Sequence, residues 1–97
     1  MVGIVTYLAL AGGSMAHAAE GGTDWNGTKS QNHSWMKVSR AELATKTVDR
    51  ACDELDLGDQ CNNLVPLIVN EKSNHPNANG YWAENYFSPW RTRSGTW

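Results

Sequence analysis

The hydrophobic positions of this chain fall into blocks with different spacing. Residues 2–19 form an uncharged run of apolar and small side chains, without Asp, Glu, Lys or Arg. Residues 20–38 are polar and rich in Gly, Ser, Thr, Asn and Asp, with no period of 3.6 or 2, which is loop composition. From Ser39 the spacing becomes helical. Ala44, Val48, Ala51, Cys52 and Leu55 fall at i, i+4, i+7, i+8 and i+11, one apolar stripe along a helix. Leu64, Leu67 and Ile68, with Val65 and Val69, supply a second apolar face. The last block, residues 80–97, crowds Tyr81, Trp82, Tyr86, Phe87, Trp90 and Trp97 into one short stretch.

The flanking residues suggest where these elements begin and end. Ser39-Arg40-Ala41-Glu42 is a capping box, predicting a helix of about four turns over residues 40–57. Gly58 is placed to turn the chain left-handed at its end. Asn63 is a candidate N-cap for a second helix, with Pro66 in its first turn, where a missing N–H costs nothing. That helix should stop before Pro76, because residues 73–80 are turn-forming throughout. The link between the two helices is short, so they are expected to pack as a hairpin. In the last block Trp82 and Tyr86 are i and i+4, as are Ala83 and Phe87, which predicts a short helix over 81–87. Pro89 ends it, and an extended tail follows.

The fold expected is therefore mainly α: a hydrophobic N-terminal helix (1–19), a polar connector (20–38), a small helical hairpin (39–78) and an aromatic, partner-binding tail (79–97). The first segment has two main readings, with a soluble buried segment as the third. As a retained single-pass helix, residues 2–19 would span about 27 Å, just short of a typical hydrocarbon core. Its small residues, Ala9 with Gly13 and Gly12 with Ala16, have the four-residue spacing that lets helix backbones approach in lipid. As a secretory signal, it would be cut at the small-x-small site Ala16-His17-Ala18. Trp25 and Trp35 interrupt the connector, either as indoles at headgroup level or folded onto the domain.

Composition narrows the choices. At 97 residues, with 40% hydrophobic and 19% charged positions, the chain suits a small folded domain with a marginal core. A net charge of −2 argues against a nucleic-acid partner, which calls for a basic stripe. Cys52 and Cys61 are the only cysteines. A bridge between them would clip the hairpin and would require an oxidising compartment: periplasm, lumen, intermembrane space or extracellular space.

Groups that could converge on a reaction are sparse. His17, His33 and His75 are far apart and form no ligand pair. Asp49, Asp53, Glu54, Asp56 and Asp59 miss the spacing of a calcium loop and read as a solvated acidic face. No motif indicates a cofactor, a lipid or a bound pigment. The stretch from Leu67 to Ala78 looks like the start of a lytic transglycosylase or lysozyme-like domain, in which a helix ends in a catalytic Glu-Ser followed by an Asn-Pro-x-Ala turn. That resemblance implies Glu71 as general acid with Ser73 as neighbour. The chain departs from it at Lys72, which splits the Glu-Ser pair, and lacks the Gly-Leu-Met-Gln stretch that follows in the family.

The function expected is non-catalytic: a small accessory subunit of a larger membrane-bound assembly, such as a respiratory or photosynthetic complex. Trp82, Tyr86, Phe87, Trp90, Arg91, Arg93 and Trp97 are its expected partner contacts, since Trp, Tyr and Arg dominate interface hot spots. The alternative is a secreted, soluble binding or inhibitor module left after signal removal.

Overall fold

In a computed structural model, residues 18–24, 32–87 and 89–97 are described. The helix-packing positions Ala9, Gly12, Gly13 and Ala16 lie outside them, as does Trp25. The described residues fold as an antiparallel sheet covered on one side by short helices, with about as much strand as helix. The mainly α expectation is thus overturned. Strands β1 (Glu20–Asp24), β2 (His33–Ser39), β3 (Gly80–Phe87) and β4 (Trp90–Thr96) lie in the order β1-β2-β3-β4. Between β2 and β3 come α1 (Arg40–Leu43), α2 (Val48–Asp53), a 3₁₀ turn (Gly58–Gln60) and α3 (Cys61–Asn74). None of these helices is long and apolar enough to cross a membrane.

Two segments expected as loop and helix are strands, and alternation explains both. In β2, Ser34, Met36 and Val38 are buried, while Trp35 and Lys37 between them point the other way. The polar connector is therefore half sheet. In β3, Tyr81, Ala83 and Asn85 are buried and Trp82, Glu84 and Tyr86 alternate with them. The i, i+4 pairs that suggested a helix over 81–87 are also even-numbered steps, which share one face of a strand. The rich content of Tyr, Trp and Phe favours the pleated form. Residues 90–96 are not an extended free tail but the edge strand that β3 pairs with, from Phe87↔Trp90 to Tyr81↔Thr96.

The helical layer also departs from expectation. Ser39 does cap α1, its hydroxyl accepting the Glu42 amide at 3.0 Å. The helix then lasts one turn, not four. Thr45 donates its hydroxyl to the Glu42 carbonyl at 2.9 Å, and Thr47 starts α2 by accepting the Arg50 amide at 3.1 Å. Two threonines competing for local backbone groups divide the expected helix in two. Asp56 and Gly58 both take positive φ after α2, so the turn is left-handed where Gly58 was expected to make it so. In turn, α3 starts at Cys61, earlier than the Asn63 cap allowed. Pro66 therefore sits inside the helix, where its ring nitrogen cannot donate to the preceding turn.

The core forms where the layers meet. Met36, Val38, Tyr81 and Ala83 from the sheet pack with Leu43, Val48, Ala51, Cys52, Leu64 and Ile68 from the helices. Burying one such large apolar side chain contributes about 1.5–3 kcal/mol. Polar bonds cross the seam at its margins. The Tyr81 hydroxyl donates to the His75 carbonyl at 2.7 Å, Ser34 to Gln60 Oε1 at 3.3 Å, and Ser94 to Glu71 Oε2 at 2.6 Å. Asn85 is fully buried, and neither its Oδ1 nor its Nδ2 has a hydrogen-bond partner among the described residues.

Two devices hold the helical layer together. The Cys52–Cys61 disulfide joins α2 to the start of α3 across a Cα separation of 5.9 Å. Lys46 lies between α1 and α2, with Nζ 2.7 Å from Glu42 Oε2 and 2.5 Å from Glu54 Oε1, and Arg50 Nε is 3.1 Å from Glu54 Oε2. Hydrogen bonds to Glu42 and then Glu54 hold the Lys46 ammonium above its ordinary pKa, and the bond from Lys46 holds the Glu54 carboxyl below its own.

Reducing the disulfide is expected to lower unfolding stability by about 2.5–3 kcal/mol, the chain-entropy cost of a ten-residue loop. Denaturant melts with and without reductant test this, and coincident midpoints would contradict it. The Lys46 cluster stabilises between its two titrations. Its Glu54 part is lost as pH falls through that group's lowered folded pKa, and its Lys46 part as pH rises through the raised one. Melting temperature at neutral pH should therefore drop in about 1 M salt, which screens exposed pairs, and Lys46→Met should remove that salt dependence.

Candidate functional site

Among the described residues the helices cover only one side of the sheet, so alternation places every second strand residue on the other side. The strand register aligns these residues in rows. One row holds Glu20, Lys37, Trp82 and Gly95; the next Gly22, Trp35, Glu84 and Arg93; the third Asp24, His33, Tyr86 and Arg91. Beyond the first row Ser39 is paired with Gly80, and Trp97 continues past β4 with its amide donating to the Gly80 carbonyl at 3.2 Å.

Each described tryptophan of this face lies against a glycine. A side-chain carbon placed on Gly95 would meet Cζ2 and Nε1 of the Trp82 ring at 2.8 Å, with Cε2 at 2.9 Å. Close approach of several ring atoms to one position means that the indole packs directly against the glycine. The Trp97 ring occupies the corresponding space over Gly80, and the Trp35 ring rests over Gly22 with Nε1 at 3.4 Å from that position. Any larger residue at Gly80 or Gly95 would lift the indole. Aromatic cover of sheet glycines also restores apolar contact that glycine itself cannot make.

Cations interleave with the rings. Arg91 Cζ is 4.1 Å from the Tyr86 centroid, Arg93 Cζ 5.7 Å from that of Trp82, and Lys37 Nζ 5.6 Å from that of Trp97. His33 stacks on Tyr86 at 4.8 Å with 12° between the planes. Such contacts are each worth about 0.5–1 kcal/mol at exposed sites. Carboxylates balance the positive charge: Glu20, Asp24 and Glu84 share the face with Lys37, Arg91 and Arg93, and Glu84 Oε1 is 3.5 Å from Arg93 Nη1.

Of the expected partner contacts, Trp82, Tyr86, Arg91, Arg93 and Trp97 come together here. Phe87 and Trp90 do not. They sit on the helix side of the β3–β4 turn, edge to face at 5.5 Å, with Trp90 59% exposed. Sequence reasoning left out His33, Trp35, Lys37 and Glu84. The alternation from His33 through Trp35 to Lys37 is the signal that finds them. Glu71, the general acid that the lysozyme-like resemblance implies, lies in the seam between α3 and β4, 16% exposed and bonded to Ser94. Among the described residues no group of His, Cys, Asp or Glu is arranged to hold a metal ion. Asp49 and Asp53 line a cleft of about 310 Å³ beside Cys61 and Asn62, apart from the open face.

Gly95→Ala should displace the Trp82 indole and lower stability by about 1–3 kcal/mol, the usual cost of overpacking, with a shift in indole fluorescence. Gly58→Ala is the control. Nothing lies within 4 Å of its side-chain position, so its cost, about 1–2 kcal/mol, comes from left-handed backbone alone and should leave the fluorescence unchanged. Equal spectra for the two variants would mean that the indole does not rest on Gly95.

Compared with models of protein families, with curated proteins and with solved structures, the chain matches none.

Proposed function

We propose that this protein is a non-catalytic binding module of an oxidising compartment, which holds its partner against the open face of the sheet. The observation that carries this reading is the set of indoles packed against glycines. A sheet side left without a second layer is normally polar, whereas this one, uncovered among the described residues, presents Trp35, Trp82, Tyr86 and Trp97 together. Large rigid side chains gain contact area at little ordering cost, which suits them to recognition. The disulfide supports the compartment. A single-stranded nucleic acid also stacks on aromatic sheets, but it needs an excess of cations along its track, and here the carboxylates cancel them.

A place in a membrane-bound assembly would use the same contacts, with residues 1–19 as anchor. Hydroxyl-radical footprinting of native material against the purified chain tests the common element. Trp35, Trp82 and Trp97 should be protected in native material, while Val69, exposed on the outside of α3, is labelled equally in both. Equal labelling of the tryptophans would remove the face from function. The N-terminus of the same material separates the two settings: a start at Ala19 or Glu20 marks a released module, and intact residues 1–19 in a particle that needs detergent mark the assembly.

A further inference from the structure

We infer that the partner on this face is a neutral glycan, with one sugar ring seated in the depression between Trp35 and Trp82. This rests on the reading of the open face as a binding surface and adds the class of ligand. The depression holds about 170 Å³ and is lined by Trp35, Lys37, Trp82 and Glu84, with Met36 and Ala83 beneath. The side chains of Met36 and Ala83 are buried toward the helices, so their backbone forms the floor. It exists because the two indoles lean apart: Trp35 lies over Gly22 on β1 and Trp82 over Gly95 on β4, which leaves the middle strands uncovered. A void of about 150 Å³ takes a bare six-membered ring such as benzene, so this open depression can seat a sugar's ring with its hydroxyls outside the rim.

The pattern of chemistry around it selects the class. The rows alternate an aromatic with a hydrogen-bonding group at the strand spacing of about 4.8 Å: Lys37 beside Trp82, Trp35 beside Glu84, Tyr86 beside Arg91. A protein interface instead concentrates contiguous apolar surface at its centre and excludes charge from it. A pyranose carries an apolar C–H face and a rim of hydroxyls on that same short scale. Its C–H face suits an indole. Its hydroxyls can accept from the Lys37 ammonium and donate to the Glu84 carboxylate, whose Oε1 is itself buried, 3.5 Å from Arg93 Nη1, and so leaves the other oxygen to the ligand. The equal number of cations and carboxylates on the face fits an uncharged ligand and opposes a polyanionic one. A chain of sugars crossing from the Trp35 indole to that of Trp82 would span roughly three strand spacings, about 14 Å.

The test is titration of the purified full chain with maltohexaose, cellohexaose and chitohexaose, followed by indole fluorescence and calorimetry. At least one should bind saturably, and Trp35→Ala and Trp82→Ala should each weaken it by roughly tenfold or more, while Trp90→Ala leaves it unchanged. Because Trp82→Ala uncovers Gly95, Lys37→Ala and Glu84→Gln serve as second variants that keep the indoles. They should weaken binding without altering the circular dichroism spectrum. Absence of saturation by all three sugars up to about 10 mM, or wild-type affinity in the Trp82 and Lys37 variants, overturns the inference. So does tighter binding of an oligo-dT strand, or a dimer in sedimentation that Trp82→Ala dissolves. If the native footprint protects the tryptophans while the sugars fail, the binding face stands and the glycan falls. If both are negative, both fall.

Discussion

The packing of the helical layer, α3 foremost, on the inner face of the sheet is the constraint on which the rest depends. Leu64 and Ile68 share one buried apolar cluster with Met36, Val38, Tyr81 and Ala83. It decides which side of the sheet is inside. Strand side chains alternate, so a register slip of one residue would carry Trp82, Glu84 and Tyr86 into the core and Tyr81 and Ala83 out of it. The cost of burying Glu84 in that way forbids the alternative. The composition of the open face is therefore a consequence of the core, not a separate design.

So small a core has little stability in reserve. The disulfide and the Lys46 cluster act on the broken helices between β2 and the start of α3. Neither touches the open face. The ladder of rings and cations there braces the sheet from the other side, where no helix of the described residues does so. An unaided outer face of Trp and Tyr would invite association, and interleaved arginines, lysine and carboxylates keep it from being one continuous apolar patch. The same alternation suits a ligand that changes from apolar to polar over a few ångströms.

Several errors of sequence reading share a cause. Trp82 with Tyr86, and Ala83 with Phe87, stand four apart, a distance common to one face of a helix and one face of a strand. Local spacing cannot separate the two when the run is short, and β-propensity was the better guide. The region 20–38 looked like loop because its glycines and serines hide the alternation around Met36 and Val38. Gly22 is in the sheet to receive an indole, a purpose visible only with its cross-strand partner in place. The long helix over 40–57 failed at Thr45 and Thr47, where the hydroxyls of neighbouring threonines end one helix and begin another.

What the sequence determined by itself was local chemistry. The Ser39 cap, the end of α3 before Pro76 and the left-handed turn at Gly58 follow from groups within a few residues of one another. The pairing of Cys52 with Cys61 belongs with them, because no other thiol competes. Tertiary structure decided which residues share a surface. Trp35 and Glu84, or Trp82 and Gly95, become neighbours only through strand register, and register is set by which residues the helices bury. That is a property of the whole chain's packing, carried by contacts between residues far apart in sequence.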